Sequence, residues 1–76
     1  TTNHFKCKLY PNPASSILNI DLATELESVE VDNLQGQKVL ISTSKDINVS
    51  NLSKGMYLVR IEDNNNAVAT QKLIIK

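Results

Sequence analysis

The chain has no tryptophan, one cysteine, one histidine, two glycines and two prolines among its 76 residues. Each scarcity closes off a class of function. Cys7 alone cannot form an internal disulfide, and with no second thiol there is no cysteine frame for a metal ion. Its expected place is a small, partly buried strand position, because a reactive thiol needs an electropositive, accessible setting. His4 lies in a polar, unpatterned stretch, Thr1 to Phe5, that reads as the end of a linker. A Ser-His-Asp or Cys-His site would have to be built from that linker, so the chain reads as no enzyme, with no cofactor and no metal. Aromatics make up 4% of residues, Phe5, Tyr10 and Tyr57, which leaves little from which to build a binding surface. Neither charge dominates: Lys plus Arg and Asp plus Glu are 8 each. A nucleic-acid partner is therefore not expected, since it would call for a basic surplus or patch. No apolar run approaches the roughly 18 residues of a membrane helix, and no membrane insertion is expected.

What the chain does have is alternation. From Leu52 to Ile61 a turn of Ser53, Lys54 and Gly55 runs into a segment with period two. Tyr57, Val59 and Ile61 fall on one face, and Met56, Leu58 and Arg60 on the other. Gly55 just before the Tyr suggests a turn residue with positive φ, where a Cβ would be costly. The segment reads as the penultimate strand of a small antiparallel sheet, with Tyr57 at a corner.

The remaining runs fit the same pattern. Lys6 to Tyr10 alternates weakly as a short first strand. Pro11-Asn12-Pro13 then fixes φ twice, removes two backbone donors and makes a rigid corner at a sheet edge. Leu18, Ile20 and Leu22 face inward from a half-buried strand over 16–22. Val29 and Val31 alternate with Glu30 and Asp32, and Lys38 to Ile41 resumes the pattern after Asn33-Leu-Gln-Gly36. Gly36 thus closes a bulge-type hairpin turn in the left-handed region. Ile47 to Val49 is an edge strand at most, Leu52 plugs the core, Asp63 to Asn66 is a turn, and Val68 to Ile75 is the last strand. Nothing has helical spacing. About seven short strands favour an all-β, Ig-like antiparallel sandwich, with Val29, Val31, Val39, Tyr57, Val59 and Ile61 sharing one core.

Length allows one domain, which buries only about 60% of its unfolded surface. Because the chain starts at Thr1 without Met or a signal peptide, it is expected to be a piece of a longer protein. Other motifs have plain readings. Asp63 to Asn66 lacks the spaced acidic ligands of a calcium loop. Glu25 and Glu27 read as a solvated strand edge. Asn48-Val-Ser50 and Asn51-Leu-Ser53 match the N-glycosylation acceptor pattern, which has meaning only where that machinery exists.

Four motifs in order carry a family resemblance. Tyr10-Pro11-Asn12-Pro13, Val29-Glu-Val-Asp-Asn-Leu-Gln-Gly36-Gln-Lys-Val39, Leu52-Ser-Lys-Gly55-Met-Tyr57-Leu-Val59-Arg-Ile61 and Gln71-Lys72-Leu-Ile-Ile-Lys76 span nearly the whole chain. Together they resemble the C-terminal sorting domains of the type IX (Por) secretion system of Bacteroidetes. The resemblance implies residues 1–8 as the end of a linker from a cargo protein and start of the first strand, and 9–76 as the sorting domain. It implies an Ig-like sandwich and an address rather than a catalyst. The cargo would cross the periplasm, pass the outer membrane, lose the domain to a sortase, and be released or anchored at the cell surface. The implied partners are the secretion machinery, its outer-membrane sortase and the N-terminally fused cargo, with the domain a monomer or else an edge-strand or swapped dimer.

Recognition is expected at Lys72, Leu73, Ile74, Ile75 and Lys76, with Gly55 and Tyr57, whose larger part is to determine the fold. Pro11, Asn12, Pro13 and Gly36 are expected as corners of the fold. The rival reading is a fibronectin type III-like adhesion or carbohydrate-binding accessory module, against which the absence of Trp and the short length argue.

Overall fold

The computed structural model describes residues 7–11 and 16–76. Among them all regular structure is strand: β1 (Cys7–Tyr10), β2 (Ile17–Leu22), β3 (Leu26–Asp32), β4 (Lys38–Ser42), β5 (Asp46–Asn48), β6 (Gly55–Asp63) and β7 (Val68–Ile75). They form two antiparallel sheets, one ordered β1-β2-β5 and the other β4-β3-β6-β7. In immunoglobulin terms these take the places of strands A, B, E and of C′, C, F, G. The expected all-β sandwich is what the chain forms. The linker reading of Thr1 to Phe5, His4 with it, and the Asn12 and Pro13 corner lie outside the described residues.

Alternation decides which side chains meet between the sheets. Leu18, Ile20 and Leu22 of β2 face Val29 and Val31 of β3 and Tyr57, Val59 and Ile61 of β6 in one cluster, closed by Ile47, Val49, Leu73 and Ile75. Leu52 packs against this cluster from the crossover before β6, as expected. Cys7 does the same, half-buried at the start of β1.

Val39 departs from expectation. It is 39% exposed, and Leu40 packs on the core in its place. The cause is a bulge: Val31 pairs with Leu40 but the next residue, Asp32, pairs with Lys38, leaving Val39 as the extra residue on β4. One inserted residue reverses which side chains point inward, so a pattern counted from the turn gives the wrong face.

The two hairpins of the larger sheet turn on the same device. In the β3–β4 loop, Asn33 Oδ1 accepts from the Gln35 and Gln37 amides at 3.0 and 2.9 Å, and Gly36 has φ +84°. In the β6–β7 loop, Asp63 Oδ1 accepts from the Asn65 and Ala67 amides, each at 2.9 Å, and Asn66 has φ +66°. A side-chain oxygen gathers the amides of the turn while a residue tolerant of the left-handed region closes it. Gly36 thus takes the left-handed conformation of a residue that closes a turn.

Candidate recognition surface

β6 and β7 are paired along their whole shared length, and their register brings most of the expected recognition residues together. Gly55 lies opposite Ile75, Met56 opposite Ile74, Tyr57 opposite Leu73, and Leu58 opposite Lys72. Lys76 follows directly after the last pair. The strand alternation then sorts these residues by face. Tyr57, Leu73 and Ile75 point into the core, whereas Met56, Leu58, Lys72 and Ile74 are on the outer face. A partner approaching this end of the sheet meets Met56, Leu58, Ile74 and two lysines, and meets Tyr57 only through the shape it imposes.

That shape comes from a corner. The Tyr57 hydroxyl donates to the Ser53 carbonyl oxygen at 2.7 Å, reaching back over the turn that precedes its own strand. Tyr57 stands near the start of the strand in the F position, where a tyrosine corner belongs in such sandwiches. Gly55, the first residue of β6, follows that turn directly and has φ +148°. An added Cβ there would meet nothing within 4 Å, so the requirement is for a backbone conformation and not for space.

The other expected corner lies elsewhere. Pro11 is exposed and follows a cis Tyr10–Pro11 peptide bond at the end of β1. The Asn19 side-chain amide donates to the Tyr10 carbonyl at 3.2 Å, which ties that corner to β2. Gly36 lies in the β3–β4 loop, at the same end of the larger sheet as Gly55, because Asp32 just before that loop pairs with Leu58. Glu25 and Glu27 are both exposed, in line with a solvated edge.

The burial of two polar residues escaped the sequence reading. Asp63 closes the far end of β6 and is only 2% exposed. Besides the two turn amides, it accepts the Thr24 hydroxyl at 2.8 Å on Oδ2, while the Asn64 amide donates to the Glu25 carbonyl at 2.9 Å. These bonds join the β6–β7 turn to the crossover between the sheets. Burial alone would raise the Asp63 pKa, but the bonds from the Ala67 amide, the Thr24 hydroxyl and the Asn65 amide outweigh it and hold the carboxyl below the ordinary range. A depressed folded-state pKa gives stability that is present above the unfolded value and lost as pH falls through the folded one. The urea midpoint should accordingly drop as pH is lowered below about 4, the ordinary Asp value. Asp63→Asn should lower the midpoint at neutral pH and flatten that acid limb, and an unchanged limb in the variant would count against this role. The second missed residue, Gln71, half-buried at an inward position of β7, donates from Nε2 to the Cys7 carbonyl at 2.7 Å.

Among the described residues no group of His, Cys, Asp and Glu is arranged to hold a metal ion, and no helix is long and apolar enough to cross a membrane. Comparison with known proteins gives a consistent picture. The sequence profile of a family described as "Secretion system C-terminal sorting domain" matches residues 8–76. Beta-agarase D of Zobellia galactanivorans is 36% identical over 72 residues, which cover 92% of this chain and 15% of that relative. The chain thus spans a small fraction of the length of the curated relative it matches. No solved structure matches.

Proposed function

Since this chain belongs to the family of C-terminal sorting domains of the type IX secretion system, we propose that it carries a protein fused ahead of it through the periplasm and across the outer membrane, and is then cut away by a sortase. The observation that supports this reading best is the extent of the family match. It runs over residues 8–76, from β1 to the end of β7, so what is shared is a folded sandwich and not a short tag. In this reading residues 1–8 join cargo to sandwich and 9–76 are the address. The machinery reads the end of the larger sheet, where Lys72 to Lys76 lie beside the Gly55–Tyr57 corner. The cargo is left released or anchored at the surface.

The test is a periplasmic reporter with its own signal peptide, fused ahead of this chain in a bacterium that has a type IX system. The reporter should reach the outside of the cell without residues 9–76, and should stay inside in a strain lacking the system. Export that is equal in both strains, or a reporter retained in both, would defeat the proposal.

A further inference from the structure

β1 and β7 belong to different sheets, and each is the open edge of its own. Gln71 joins them. It stands at an inward position of β7 between the buried Ala69 and Leu73, and its Nε2 donates to both the carbonyl oxygen and the Sγ of Cys7, at 2.7 and 3.1 Å. β1 is otherwise lightly held. Among the described residues it is four long, pairs with β2 alone, and buries only Leu9. Gln71 thus ties the near end of β1 to β7.

We infer that Gln71 is a latch that keeps β1 in place for as long as β7 remains docked in its sheet. The purpose of such a latch rests on the sorting function proposed above, though its existence does not. A protease needs the backbone around its cut free to enter its cleft, and the backbone of Cys7 to Leu9 is fully free only after β1 has left β2. A partner that draws β7 aside removes the Gln71 bond and with it the restraint on β1. Engagement at one end of the chain is thereby passed to the other.

Cys7 is the only thiol in the chain and serves as a built-in reporter. Burial pushes its pKa up, against the opposing pull of the Gln71 hydrogen bond, so the docked thiol reacts slowly. The experiment is maleimide labelling of Cys7 in this 76-residue chain, with urea unfolding measured alongside. Gln71→Met keeps an unbranched side chain of similar length but donates no hydrogen bond. It should label roughly tenfold faster, the loss expected for a buried hydrogen bond, whereas a substitution far from β1 that lowers the unfolding midpoint equally should not. Two milder variants separate the latch from general loosening. Ile75→Val weakens β7 with Gln71 intact, and Ile47→Val weakens β5 at the opposite edge of the smaller sheet. At matched global stability, Ile75→Val should label faster than Ile47→Val. If Gln71→Met labels at the parental rate, or if labelling in all variants follows global stability alone, β1 is held by its sheet and there is no latch. No secretion step enters the measurement, so a failed latch and a failed sorting function are told apart.

Discussion

Tyr57→Ala should leave the chain largely unfolded at room temperature. The ring is 8% exposed and belongs to the cluster that joins both sheets. Truncating a buried aromatic of this kind costs roughly 3–5 kcal/mol. A domain of this size has about 5 kcal/mol in total. Tyr57→Phe keeps the ring and gives up only the hydroxyl bond to Ser53, which should cost about 1 kcal/mol. Urea unfolding followed by circular dichroism checks both. An alanine variant within about 1 kcal/mol of the parent would show that the corner does not organise the fold. Under the proposed function, export would fail in this variant through loss of the sandwich itself.

The second large effect has the opposite character. Lys72→Glu combined with Lys76→Glu should preserve the fold and abolish export of a fused reporter. Both lysines are exposed, and Lys72 stands beside Leu58 on the outer face. Exposed charge reversals shift stability by less than about 1 kcal/mol. If the secretion machinery reads this end of β7, by strand addition or by charge, two reversals at the contact remove the match. The reporter should then collect inside the outer membrane with its domain folded and uncut. Tyr57→Ala is the misfolding control, while Gly55→Val, at roughly 1–3 kcal/mol for a β-branched residue at φ +148°, is only destabilised. Should the double variant be exported and cut like the parent while Tyr57→Ala is not, the lysines only protect an edge strand. Recognition would then belong to the Pro11-Asn12-Pro13 corner or the loops beside Gly55.

The strands were legible wherever two-residue periodicity ran unbroken, as in β2, β6 and β7. The positive φ of Gly36 and Gly55 was legible in a chain with two glycines, although Gly55 takes it as the first residue of β6 and not within the turn. Val39 was misplaced because a bulge changes parity without leaving a mark in composition. Asp63 and Gln71 were missed for a different reason. Both sit at inward positions, Asp63 after Tyr57, Val59 and Ile61, and Gln71 between Ala69 and Leu73. A polar side chain there must find a buried partner. The parity that identified the core therefore also marked these residues, but their partners, Thr24 and Cys7, come from distant parts of the chain. The expected recognition residues came from two separate motifs of the family resemblance, and the β6–β7 register sets those motifs side by side.

The order of strands within the sheets also bears on when the domain comes into being. The hairpins β1–β2, β3–β4 and β6–β7 each close a short loop, whereas β2 must wait for β5 and β3 for β6. Pairings between distant segments carry a loop-closure cost before any contact rewards it, which places small sandwiches of this kind among the slower folders. The larger sheet remains two separate hairpins until β6 has joined β3. Under the proposed function, an address assembled in this way stays unreadable until its most distant pairings have closed, so the completed sheet acts as a timer.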